Sequence, residues 1–85
     1  MYFVYILQSL KNGRYYVGST DNVEQRVSYH NAGRVKSTKP HRPLKLVYSE
    51  SFATNREARE REGFLKKTAK ARKEIFAKIE NAAIV

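Results

Sequence analysis

Tyr5, Tyr16, Gly18, Arg26 and His30 all lie in the first part of the chain. Phenols and an imidazole exchange protons, and a guanidinium presents a fork of N–H donors that suits an oxyanion. The tyrosines stand in two tripeptides, Phe3-Val4-Tyr5 and Tyr16-Val17-Gly18, and a hairpin followed by a helix would bring all five residues together. The set reads as a small active site without a carboxylate, which the rest of the chain must supply.

The elements that position these residues are legible in order. Residues 2–8 carry β-branched and aromatic side chains on both parities, so a strand covered on both faces, and therefore central, is expected there. Residues 15–19 form a second strand, and Asn12-Gly13 between the two suits a type I′ turn. Asp21 with Glu24 is patterned as a capping box, and Asn31 with Gly33 supplies a stop, which frames a helix. A basic loop over 33–42 leads into a third strand over 44–50, where Leu44, Leu46 and Tyr48 alternate with Lys45, Val47 and Ser49. Thr54 with Glu57 is a second capping box opening a helix to about Thr68, and residues 70–81 continue as another helix or the same one bent. The order is β-β-α-β-α-α, and 85 residues make one domain, 1–85.

Composition narrows the partners. Seventeen Lys and Arg against eight Asp and Glu give a formal charge of +9, which favours a polyanion, nucleic acid first among them. The chain has no cysteine, which excludes a disulfide framework and Cys-based zinc sites. The apolar run at the N-terminus ends at Gln8, far short of the ~20 residues of a spanning helix, so a soluble, cytoplasmic protein with no membrane partner is expected.

Each residue has a bland reading beside the chemical one. Tyr5 and Tyr16 sit where strands put core aromatics. Gly18 in mid-strand points instead to a bulge or to a group, such as a phosphate, that approaches the backbone closely. Arg26 and His30 stand four apart beside the Val23 and Val27 stripe and project from one helix face. Glu62 falls in register with Ala58, Leu65 and Ala69 on a buried stripe, where an unpaired carboxylate is costly. An ion pair with Arg26 or a bond from a tyrosine hydroxyl would explain it, with a metal as the alternative.

With these residues in place the chain resembles the GIY-YIG nuclease superfamily over nearly its whole length. Phe3-Val4-Tyr5 stands in the place of the first motif and Tyr16-Val17-Gly18 in the place of the second, followed by Arg26, His30, the segment 39–48, and Glu62 with Lys66. The first motif begins with Phe3 rather than glycine, Ser19 stands where repair-type members carry lysine, and Asn81 is the only late asparagine to match one that assists the site in several members. The resemblance implies a three-stranded antiparallel sheet flanked by helices, an α+β fold. It also implies hydrolysis of DNA phosphodiesters with one divalent cation, Mg²⁺ or Mn²⁺. Glu62 would be the metal ligand, Arg26 would hold the scissile phosphate, and Tyr5 and Tyr16 would flank the attacking water. His30 would support proton transfer or hold a tyrosine, and a tyrosine, either one, would be the general base.

The chemistry agrees with those roles. Attack on a phosphodiester builds negative charge on the phosphoryl oxygens, so a fixed guanidinium and a metal aimed there lower the barrier. Lys36, Lys39, His41, Arg42 and Lys66 are candidates for tracking the phosphate backbone, against the plainer reading of a solvated basic surface. Branched or damaged DNA suits a chain with no sequence-reading domain, and a targeting partner or a homodimer would supply selectivity. A non-catalytic nucleic-acid-binding module of the same fold is the second reading.

Overall fold

A computed structural model describes residues 1–84. Its elements are β1 (Tyr2–Ser9), β2 (Tyr15–Thr20), α1 (Val23–Asn31), one 3₁₀ turn (Lys39–His41), β3 (Leu44–Phe52), α2 (Asn55–Lys67) and α3 (Ala69–Ile84). The strands form an antiparallel sheet in the order β2-β1-β3, which makes the α+β fold and its central first strand findings.

The two parities of β1 serve two cores. Val4 and Ile6 pack with Ala58 and Leu65 of α2 and Ile75 of α3 on one face. Tyr5 and Leu7 pack with Leu44, Val23 and Val27 on the face covered by α1. Such burial stabilises by roughly 1.5–3 kcal/mol for each fully covered aliphatic side chain. Both faces of β1 are therefore fixed, and a register slip by one residue would exchange the two cores.

Local details depart from the sequence expectations for physical reasons. A type I′ turn needs positive φ at both central residues. Gly13 (φ 76°) and Gly33 (φ 78°) alone have it among the described residues, so the hairpin closes differently. Ser9 N–H donates to the Arg14 carbonyl (2.8 Å) and Gly13 N–H to the Ser9 carbonyl (2.9 Å), around a longer turn over 10–13. The cap of α1 is Asn22 rather than Asp21: its side chain accepts from Gln25 N–H at 3.1 Å. Thr54 caps α2 as expected, accepting from Glu57 N–H at 3.2 Å.

In β3 the register to β1 shifts between Ile6 and Leu7, whose partners are Tyr48 and Leu46. Val47 is the extra residue, so Tyr48 crosses to the α2 face while Leu46 stays on the α1 face. The simple alternation of Leu44, Leu46 and Tyr48 is broken there. Ala69 is exposed and opens α3, because α2 ends at Lys67 with Thr68 as its cap. The stripe through Ala58 and Leu65 stops before it.

Candidate active site

Tyr5 and Gly18 are cross-strand partners in β1 and β2. The Tyr5 ring lies over Gly18 so closely that a Cβ there would sit 2.6 Å from Cζ. The glycine makes room for the phenol itself, not for a phosphate. Covered in this way, the Tyr5 hydroxyl meets two side chains from α1. Arg26 Nε donates to it at 3.3 Å, and His30 Nε2 lies 3.0 Å away, with the two rings edge to face at 70°. The spacing of Arg26 and His30 thus does what one helical turn should do, placing both on the same phenol.

His30 is 5% exposed, and its other ring nitrogen, Nδ1, lies 2.8 Å from the hydroxyl of Thr38 in the loop after α1. Burial, and then the positive charge of Arg26, push the imidazole below its ordinary value. The ring is accordingly neutral near pH 7 and able to accept a proton.

Tyr16, on the same face, stands 5.6 Å from the His41 ring. Its hydroxyl is buried and has no hydrogen-bond partner among the described residues. His41 is itself tied to the hairpin, its Nδ1 2.7 Å from Asn12 Nδ2 and its carbonyl accepting from Ser9 Oγ at 2.6 Å.

Ser19 and Glu62 belong to the other face of the sheet. Ser19 pairs with Val4, and its hydroxyl donates to Glu62 Oε1 at 2.6 Å, while Lys66 Nζ lies 2.5 Å from Oε2. The partners expected from the sequence, Arg26 or a tyrosine, are not the ones found. Burial works against charge on Glu62, but the bonds from Lys66 and Ser19 and the charges of Lys66 and Arg59 outweigh it and hold the carboxyl below its ordinary value. Glu62 is therefore ionised at neutral pH.

A groove of about 640 Å³ joins the two faces. Residues of both parities of β2 line it, so it wraps around that edge strand, with Tyr5, Arg26 and His30 on one side and Glu62 and Lys66 on the other. Its charge is cationic, since Arg14, Arg26, Lys66 and Arg72 face a single carboxylate. Nothing in the sequence marks Arg14 or Thr38 as part of the groove. Arg14 follows the turn as one more basic residue, and a threonine in a polar loop leaves no pattern at all.

The candidate backbone-tracking residues divide. Lys66 is on the groove, whereas Lys39 and Arg42 line a second cavity with Lys11 at the hairpin end. Lys36 is exposed and lines neither, and His41 packs against Tyr16. Asn81 is exposed on α3 away from the groove.

One ionised carboxylate with lone pairs left over fits a hard cation that keeps most of its water and takes further ligands from substrate phosphate. Among the described residues no group of three or more His, Cys, Asp or Glu forms a fuller cage. No helix among them is long and apolar enough to cross a membrane.

An antiparallel sheet carrying Tyr5 and Tyr16 on its first hairpin, with Arg26 and His30 on α1 and Glu62 on α2, defines a class. Residues 1–75 match the family model of the GIY-YIG catalytic domain, and the chain belongs to that family. Its relatives include the UPF0213 protein YazA of Bacillus subtilis, 38% identical over 88% of this chain and 76% of the relative. A UPF0213 protein of Halobacterium salinarum is 40% identical over 89% of this chain and 99% of its own length. The solution NMR structure of the UPF0213 protein BH0048 from Bacillus halodurans superposes with a TM-score of 0.55 at 32% identity, covering 93% of this chain and 85% of that one.

Proposed function

We propose that the protein is a metal-assisted nuclease that hydrolyses phosphodiester bonds in DNA. The observation that carries this reading is the Tyr5 hydroxyl, held between Arg26 and a buried, neutral His30 on a cationic groove that also presents Glu62.

A phenol is a poor base unless its own proton has somewhere to go. Here it does: as Tyr5 takes a proton from the attacking water, it passes its own to His30 Nε2. Arg26, beside the phenol, binds a non-bridging phosphate oxygen and steadies the charge that grows on the phosphoryl group. Tyr16 also lines the groove, but its hydroxyl is buried and without a partner among the described residues, so it is not placed to take a proton from water. Tyr5 rather than Tyr16 is therefore the general base. Glu62 would hold a divalent cation, which supplies Lewis-acid stabilisation of the phosphoryl and leaving oxygens. Lys66, with its side chain 54% exposed, can swing aside to a phosphate when the carboxylate is engaged.

The test is cleavage of single-stranded, duplex, flap and four-way-junction DNA by wild type and Tyr5→Phe, with Mg²⁺, Mn²⁺ or EDTA. Metal-dependent cutting by the wild type is expected, with a loss of about 10²- to 10⁴-fold in the phenylalanine variant and DNA binding retained. Tight binding with no cutting on any substrate would instead leave a nucleic-acid-binding module. Pairing of Glu62 with Lys66 is the one observation on that side.

A further inference from the structure

Thr38 is 1% exposed in a loop otherwise rich in cations. Its backbone is committed to the local turn: its N–H donates to the Val35 carbonyl at 3.1 Å and its carbonyl accepts from His41 N–H at 2.9 Å. Neither bond needs a side chain. The hydroxyl does something separate, lying 2.8 Å from His30 Nδ1 and 3.4 Å from the Val35 carbonyl.

A neutral imidazole carries one ring proton, and the partner of each nitrogen decides where it sits. A hydroxyl donating to the Val35 carbonyl turns its lone pairs to Nδ1, which must then carry the proton. Nε2 is left bare, and the Tyr5 hydroxyl donates to it. The opposite arrangement would put an Nε2–H and the Arg26 Nε–H on the same phenol oxygen, leaving the phenol proton no acceptor on His30.

We propose that Thr38 is a positioning residue: its buried hydroxyl fixes His30 in the Nδ1–H tautomer and so keeps Nε2 as the acceptor for the Tyr5 proton. The catalytic consequence rests on the nuclease reading, whereas the tautomer does not. The lowered basicity of His30 supports the same picture, because a neutral ring is one in which tautomer matters.

The experiment has two arms on the full chain. Long-range ¹H–¹⁵N NMR of the free protein near pH 7 reads the tautomer of His30, with His41→Gln separating the signals of the two histidines. DNA cleavage kinetics of wild type, Thr38→Val and Thr38→Ser read its effect. The wild type is expected as Nδ1–H. Thr38→Val should move the ring toward Nε2–H and lower kcat by roughly 10- to 100-fold with KM unchanged, and Thr38→Ser should restore both.

A wild-type spectrum showing Nε2–H overturns the proposal, as does a valine variant that keeps the wild-type tautomer. A shifted tautomer with full kcat overturns its catalytic half. If Thr38→Val does not fold, the wild-type and serine spectra still decide the tautomer. A wild type that cuts no DNA defeats the nuclease reading instead, and the spectrum alone then upholds or removes the positioning role.

Discussion

At opposite edges of the sheet a carboxylate meets a cation from α2, and the two pairs differ in what they leave over. Beside β3, Glu50 takes both Nε (3.0 Å) and Nη2 (3.3 Å) of Arg61, and the Tyr48 hydroxyl donates to it at 3.0 Å. Beside β2, Glu62 takes one bond from Ser19 and one from Lys66, whose point charge sits on a flexible stem. Arg61 and Glu62 are neighbours on one helix, yet the first closes a three-bond network on Glu50 and the second accepts only two bonds and faces a groove. A carboxylate's availability is thus set less by burial than by how many donors its surroundings commit to it.

The sharpest way to break this contrast is to neutralise each carboxylate in turn. Glu62→Gln should lower metal-dependent cleavage by about 10²-fold or more. Its urea midpoint should move little, since glutamine can still accept from Ser19 and an i,i+4 pair whose lysine is half exposed contributes under ~1 kcal/mol. Glu50→Ala should do the reverse, costing about 1–3 kcal/mol in urea unfolding by orphaning Arg61 and leaving cleavage intact. Equal activity losses in both variants would mean that the two pairs are not distinct in kind.

A third group titrates away from both. The folded value of His30 lies below its ordinary 6.5, so the unfolded chain takes up a proton first as pH falls. The stability that comes from burying the neutral ring is complete above 6.5 and is lost as pH drops through the folded value. Urea midpoints across that range should fall in the wild type and flatten in His30→Gln. The smallest effect is expected from Lys66→Met. It should tighten Mn²⁺ binding, read by electron paramagnetic resonance, by a few-fold at most, in keeping with a pair worth under ~1 kcal/mol.

Much of the fold was legible because burial writes itself into periodicity. The central position of β1 followed from apolar residues on both parities, and α2 from Thr54 with Glu57. What escaped depended on choices between equivalent neighbours. Asp21 and Asn22 are both good caps, and only the bond to Gln25 N–H decides between them. The bulge at Val47 lies in an apolar run that reads equally well in either register. In the site, tyrosines, arginine and histidine were visible by type and spacing. The Ser19 bond to Glu62 and the Thr38 bond to His30 were not, because a serine and a threonine carry no motif or periodic signal, the first bond spanning 43 residues and the second crossing an irregular loop.

The hairpin turn over 10–13 is exposed, small and polar at its tip, which by ordinary criteria is where a chain accepts an epitope tag or a new terminus. Here Ser9 Oγ accepts from Lys11 and Asn12 N–H while donating to the His41 carbonyl, and Asn12 reaches the His41 ring that packs on Tyr16. Extra residues at this tip would be felt at the groove, so a label meant to leave the site undisturbed belongs elsewhere on the chain.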